Sequence, residues 1–225
     1  NEELKALSIR LYKLDLMNQF WTVYERYRDQ DTINLAIERV WKVGKYEDVL
    51  KGYQYNRDKK LLPSTYCMVV DANFKLEKSF DCNLVDLCFE TKDDNYLKTK
   101  LSCLALHGDI KRIKQFVKGI GDNYTTFFCQ SAEYLIINDL IETKRYNLFQ
   151  RCDNLDNLSE ELAKRGLWNK LLYLRSGMND EKSYFYLAYV YGVKNERRQF
   201  NKYYNLVKDK NLKDRLLKRF RRVVR

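Results

Sequence analysis

Apolar residues recur at three- and four-residue spacing through almost the whole chain, and this period predicts helices. The spacing is clearest at residues 33–41, where one face of a helix would carry Ile33, Ala36, Ile37, Val40 and Trp41. A single proline and eight glycines among 225 residues are too few for the many turns of an all-β protein. The sequence therefore predicts an all-α fold.

Short polar or glycine-containing breaks interrupt the helical pattern near residues 14, 44, 78, 108, 144, 166 and 194, at intervals of 22 to 36 residues. An aromatic residue or isoleucine follows several breaks by two positions, as in the pairs Gly44/Tyr46, Gly108/Ile110, Lys144/Tyr146 and Gly166/Trp168. Such a bulky residue can anchor a second helix on the first. Helical-repeat proteins have periods of this order, and their neighbouring units cover one another's apolar faces. We expect an α-solenoid of about seven helix-turn-helix hairpins.

The stretch from Thr32 to Glu90 resembles the pentatricopeptide repeat. Thr32-Ile33-Asn34 stands where that repeat opens its first helix, and Val43-Gly44-Lys45 stands at its turn. Leu62-Pro63-Ser64-Thr65-Tyr66 stands at the junction with the next unit. About two units match, at residues 32–90, and the rest of the chain matches in rhythm. The related tetratricopeptide repeat shares the length and the hairpin.

The resemblance implies a groove that holds single-stranded RNA, with one base docked on each unit. Asn34 falls on the first base-reading position of its unit, and Ser64 falls on the partner position that closes it. An Asn amide can bond to a base edge. The matching position of the next unit is Cys67, which departs from the polar residue usual there. The resemblance also implies a mitochondrial protein that acts on transcript stability, processing or translation.

Positive charge is concentrated at the C-terminal end. The formal net charge is +11, and residues 202–225 contribute +8 of it. Within this segment, residues 208–225 are predicted to form a basic amphipathic helix. Its candidate nucleic-acid-binding cations are Lys213, Arg215, Lys218, Arg219, Arg221, Arg222 and Arg225. RNA phosphates, an anionic membrane surface or an acidic protein groove would each accept such a helix.

The remaining chain divides into two predicted segments. Residues 1–152 form the first part of the array, and residues 153–207 continue it. The polar stretch Cys152–Leu158 falls in the shortest interval between breaks, so we expect a distorted unit and a bend there.

The cysteines and the single histidine give little sign of chemistry. No C-x-x-C pair occurs, and most of the six cysteines fall within apolar helical patterns. We therefore predict buried free thiols in an intracellular, reducing compartment, rather than a zinc site. His107 precedes Gly108 at a predicted helix end, where a turn role is expected. No catalytic motif is recognisable, so we expect neither enzymatic activity nor a cofactor.

Two functional hypotheses follow from these patterns. The first is a non-catalytic RNA-binding helical-repeat protein, with single-stranded RNA or an RNA–protein complex as its partner. The second is a scaffold, similar to tetratricopeptide or clathrin repeats, that binds protein partners through its nearly neutral body. No run of 18 or more apolar residues occurs, so no membrane span is expected.

Overall fold

The computed structural model describes residues 2–27, 30–58 and 60–224. In these ranges the chain is helical and contains no strand, which confirms the all-α prediction. None of the described helices combines the length and the apolar character needed to cross a membrane. The chain forms two compact units, Asn1–Asp109 and Ile110–Arg225.

The first unit contains α1 (Glu2–Lys13), α2 (Met17–Tyr27), α3 (Gln30–Lys42), α4 (Tyr46–Gln54), α5 (Pro63–Lys75), α6 (Asn83–Cys88) and α7 (Asp94–Leu106). The second contains α8 (Ile110–Gly119), α9 (Thr125–Ile137), a 3-10 helix (Thr143–Arg151), α10 (Leu155–Lys164), α11 (Trp168–Arg175), α12 (Glu181–Val193), α13 (Arg197–Leu206), α14 (Lys210–Arg219) and α15 (Arg221–Val224). Within each unit, most contacts between helices join elements that are neighbours in the sequence.

A recurring left-handed residue ends the first helix of each hairpin. These residues have φ between 52° and 75° and lie 27 to 33 positions apart, at Asp15, Gly44, Glu77, Gly108, Asp139, Gly166 and Asn195. After Gly44, the Lys45 amide donates to the Val40 carbonyl at 2.9 Å. The same bond, from an amide to the carbonyl five residues earlier, follows five of the other six left-handed residues, with the donors Leu16, Lys78, Leu140, Leu167 and Glu196. This pair of features satisfies the last carbonyls of a helix and turns the chain tightly.

The predicted breaks agree with these positions in six places, to within one residue. The seventh, predicted at Lys144, is wrong, since the turn lies at Asp139 and Lys144 belongs to the 3-10 helix. The polar residues 142–145, which suggested a turn, are fixed in place by Arg145. Its guanidinium donates to the carbonyls of Val117 and Ile120. The stacking of the hairpins into one continuous solenoid stays a prediction.

The hairpins of the first unit pack through large aromatic side chains. Trp21 on α2 is fully buried, and its ring lies where a Cβ on Gly52 of α4 would approach it to 2.6 Å. Any larger residue at position 52 would have to displace this ring. The glycine therefore allows α2 and α4 to approach closely.

All six cysteines are paired, so the prediction of free thiols is wrong. Cys67–Cys88 joins α5 to the end of α6, and Cys82–Cys103 joins the residue before α6 to α7. Cys129–Cys152 joins α9 to the residue after the 3-10 helix. Buried thiols and buried disulfides leave the same apolar sequence pattern, which is why the pattern misled. The bridges favour an oxidising compartment over the predicted reducing one.

Candidate nucleic-acid interface

Helix α12 provides the aromatic surface on which the basic C-terminal segment packs. Gly192, near the end of α12, faces the ring of Phe220, and a Cβ at this glycine would lie 2.8 Å from that ring. Phe220 also meets Tyr189 edge-to-face, with ring centroids 5.2 Å apart. Leu216, on α14, is fully buried. The segment predicted as one helix is therefore two helices, α14 and α15, fixed to the unit by apolar side chains.

Three of the predicted binding cations lie over aromatic rings. Arg215 stands 5.0 Å from the ring centre of Phe185, and Arg219 stands 5.2 Å from that of Tyr189. The Lys213 ammonium lies 4.9 Å from the Tyr204 ring centre. A cation over a ring face is held by the negative face of the π-system. The two arginines are thereby oriented while their side chains stay exposed to solvent.

A groove of about 520 Å³ opens beside these two arginines. Trp168 and Tyr189, both half-buried, form part of its wall, with ring centroids 5.7 Å apart. The full lining comprises Glu160, Ala163, Lys164, Gly166, Trp168, Phe185, Tyr186, Tyr189, Arg215 and Arg219. Among the described residues, neither groove arginine has a carboxylate within ion-pair distance. The groove thus combines exposed ring faces with uncompensated guanidinium groups.

Burial raises the pKa of Tyr186, which lines the groove, to about 12. The negative charge of Glu160 acts in the same direction, and the Arg175 guanidinium acts against it. Tyr186 therefore keeps its proton at physiological pH. Glu160 is the only carboxylate that lines the groove within the described residues, so the site as a whole is cationic.

A buried arginine fixes α10 and α12 beside the groove. Arg175, on α11, is 1% exposed, and its Nε donates to Ser159 Oγ on α10 at 2.8 Å. Its Nη1 donates to Ser183 Oγ on α12 at 3.3 Å, and the guanidinium lies 4.9 Å from the Tyr186 ring centre. Charged groups are stable inside a protein only when they are paired and bonded in this way. No pattern in the sequence predicted this network.

The other predicted cations lie outside the groove. Lys218, Arg221 and Arg222 are exposed on α14 and α15, and Arg225 lies outside the described residues. The second unit contains 25 Lys and Arg against 13 Asp and Glu, a net charge of +12. The first unit contains 17 and 18 and carries a net charge of −1. The net positive charge of the chain therefore lies in the second unit, and residues 202–225 contribute +8 of its +12.

The two residues carried over from the repeat resemblance lie in the first unit. Asn34 is buried on α3, and its Oδ1 accepts a hydrogen bond from Thr65 Oγ1 on α5 at 2.8 Å. Ser64 is exposed at the start of α5. The Asn34 amide thus joins α3 to α5, and its oxygen already accepts one hydrogen bond. The base-reading assignment of Asn34 and Ser64 stays a prediction.

Cys82, Cys103 and His107 bring potential metal-ligating atoms within 4.8 Å of one another. The two sulfurs are bonded to each other, and only thiolates are good metal ligands. The His107 ring contacts the Phe80 carbonyl at 2.5 Å and Ser79 Oγ at 3.0 Å. These bonds tie the end of α7, where His107 is the capping residue, to the loop before α6.

Comparison with known proteins gives no relative from which a function could be taken. No protein-family model matches the chain, and no curated protein and no solved structure is significantly similar to it. The geometry of the groove is therefore the basis for a functional proposal.

Proposed function

We propose that this is a non-catalytic helical-repeat protein whose second unit binds single-stranded RNA. The observation that carries the proposal is the groove in which Trp168 and Tyr189 lie beside Arg215 and Arg219. Proteins that bind single strands combine a basic surface along the phosphates with aromatic side chains on which bases stack. The net charge of +12 on the second unit supplies the first element, and the half-buried rings supply the second.

Two sets of residues have different roles in this binding. The exposed cations of α14 and α15 neutralise phosphates without regard to sequence, because every nucleotide carries the same charge. The groove accepts the flat face of a base. A role in organellar, specifically mitochondrial, transcript stability, processing or translation is an expectation from the repeat resemblance, and the RNA–protein complex remains an equivalent partner.

Filter binding of a single-stranded RNA at several salt concentrations between 50 and 200 mM tests the proposal. Contacts of six cations with phosphates give a log–log slope of about −4 to −5, at ~0.7–0.9 per contact. Absence of binding at 50 mM salt would overturn the proposal. Vesicles that contain anionic lipid and a heparin-type polysaccharide serve as competitors. If either displaces the RNA as well as unlabelled RNA of the same total negative charge does, the interface is a general polyanion surface.

A protein-binding scaffold is the second candidate, and the disulfides favour it. Three bridges favour an oxidising compartment, whereas the RNA-binding hypothesis expects an intracellular, reducing one. The first unit, with its net charge of −1, would then offer the docking surface. Affinity capture with the variant in which Lys218, Arg221 and Arg222 are changed to glutamine separates the two candidates. A scaffold retains its protein partners in this variant.

A further inference from the structure

We infer that the groove is a pocket for one unstacked base, in which Trp168 provides the stacking face, Glu160 reads the base edge, and Arg215 and Arg219 bind the adjacent phosphates. This inference rests on the proposed RNA binding and goes beyond it, because it assigns a base preference to a particular site. The volume of about 520 Å³ lies within the range of sites that enclose small organic groups.

The stacking role falls to Trp168 because of where the rings lie. Arg219 already covers one face of Tyr189, at 5.2 Å from the ring centre. Phe185 and Tyr186 are buried, whereas Trp168 is half-buried and starts α11 directly at the groove. The planar guanidinium of Arg219 offers a second flat surface, since guanidinium planes stack on bases as aromatic rings do.

The base preference follows from the single carboxylate. Glu160 is exposed, and no described cation lies within ion-pair distance of it. An ionised carboxylate only accepts hydrogen bonds. Guanine presents two adjacent donors, N1–H and the N2 amino group, on its Watson–Crick edge. Adenine and cytosine each present one donor beside an acceptor, and uracil presents one donor between two acceptors, so each of these edges would repel the carboxylate in part. The pocket is therefore specific for guanine.

The charges also indicate how the strand lies. Arg215 and Arg219 are one helical turn apart on α14, so they face the same side of that helix. Two guanidinium groups on one side can hold two phosphates that flank the inserted base. A ligand without a flat group, such as a phosphate-bearing lipid headgroup, would use the arginines and leave the Trp168 face unused.

The test uses the full chain and three RNAs that differ at one nucleotide: an oligouridine with a central guanosine, with a central adenosine, or with a central abasic site. We expect the guanosine RNA to bind about tenfold more tightly than the adenosine RNA and more than tenfold more tightly than the abasic RNA. Tryptophan fluorescence should be quenched by the guanosine RNA, because Trp168 is more exposed than the fully buried Trp21.

Two variants assign the effect to the pocket. Trp168→Leu should remove the difference between the guanosine and abasic RNAs, and Glu160→Gln should remove the preference for guanosine over adenosine. Tyr173→Leu is the matched control, because Tyr173 is a 55% exposed aromatic on α11 that does not line the groove. This variant should behave as the unaltered protein does.

The comparison of the guanosine and abasic RNAs needs no variant, so a folding defect cannot obscure it. Equal affinity for the two RNAs overturns the base pocket and leaves the proposed RNA binding intact. Loss of the difference in Tyr173→Leu as well overturns the assignment to the groove. Absence of binding to all three RNAs at 50 mM salt overturns the proposed function itself.

Discussion

The guanidinium of Arg175 lies 2.6 Å from the Asp156 carboxylate while the arginine side chain is almost fully buried. Desolvation alone would raise the pKa of Asp156, but hydrogen bonds from Lys182 and Arg175 outweigh it and lower the pKa below its ordinary value. The aspartate is therefore stabilised in its charged form in the folded protein. The pair ties α10 to α11, and Lys182 extends it to α12.

Asp156→Asn should lower the free energy of unfolding by about 2–4 kcal/mol at pH 7, because it leaves the buried Arg175 charge with only the more distant Asp180 carboxylate, 3.9 Å away. Lys182→Met is the control, since that lysine is exposed and should cost less than about 1 kcal/mol. Denaturant titration gives both values. An equal loss of unfolding free energy in the two variants would contradict a dominant role for the bond between Asp156 and the buried Arg175.

The same pair gives a pH dependence with a definite sign. Because the pKa of Asp156 is lower in the folded than in the unfolded state, its contribution to stability is complete above the ordinary pKa of an aspartate, near 4. The contribution is lost as pH falls through the folded-state value. Thermal denaturation between pH 2 and 7 should show a smaller decrease for Asp156→Asn than for the unaltered protein.

The disulfide Cys129–Cys152 closes a segment of 23 residues around α9 and the 3-10 helix. Replacing both cysteines with serine should lower the free energy of unfolding by about 3 kcal/mol, from the chain entropy released in the unfolded state. Denaturant titration of the double variant measures it. Mass spectrometry of peptides under non-reducing conditions checks the pairing first, and any linkage other than the three described would contradict the structure.

Gly192 should tolerate no side chain. A Cβ there would lie 2.8–2.9 Å from three ring atoms of Phe220, so Gly192→Ala should cost about 1–3 kcal/mol and loosen α14 from α12. Gly121→Ala is the matched control, because a Cβ at Gly121 meets nothing within 4 Å. Thermal denaturation of both variants measures the difference, and an unchanged Gly192→Ala would place Phe220 elsewhere.

The exposed cations of the C-terminal helices should determine the salt dependence of RNA binding. Changing Lys218, Arg221 and Arg222 together to glutamine should make the log–log slope less steep by about 2–3, close to one unit for each lost phosphate contact. The effect should be similar for all RNA sequences, since phosphates carry no sequence information.

The control for this triple variant lies in the first unit. Arg10, Lys13 and Lys75 are exposed, so changing them to glutamine removes the same charge from a part of the chain with no assigned role. The log–log slope of RNA binding against salt should be the same for this variant as for the unaltered protein. An equal decrease for both triple variants would mean that binding follows total charge and not the second unit.

The left-handed residues provide a matched pair of substitutions. Glu77 adopts φ 52°, a conformation that costs a side chain about 1 kcal/mol or more, so Glu77→Gly should stabilise the protein by up to ~1 kcal/mol. Gly44→Ala imposes that strain at φ 75° and should destabilise it by about 1 kcal/mol. Opposite shifts in melting temperature are expected, and shifts of equal sign would contradict equivalent turns.

Helices and turns were predictable because their signals are local. Gly44, Gly108 and Gly166 each follow an amphipathic run, and each adopts the left-handed conformation that favours glycine. The turn at Asp139 was missed because the residue carries no such signal, and Leu140 and Ile141 after it are buried. Only tertiary packing distinguishes that turn from the polar run that follows it.

The site was predictable in its charge and not in its geometry. The cations of α14 and α15 are evident from the sequence composition. The packing of these helices on α12 depends on the close approach of Phe220 to Gly192. Trp168 and Tyr189 look like core aromatics in the sequence, since helical spacing does not show which ring stays accessible. Asn34 shows the converse, because a polar residue at a helix start turned out to be buried against Thr65.

Two of the disulfides occupy corresponding places in different hairpins. Cys67 and Cys129 each precede a left-handed residue, Glu77 and Asp139, by ten positions, and each bonds to the end of a shortened or irregular second helix. A six-residue helix or a 3-10 helix has low intrinsic stability and depends on such a link. Under reducing conditions these two segments would therefore fray first, while the glycine-closed hairpins would keep their order, and the redox state of the surroundings would select which parts of the chain are open to proteases.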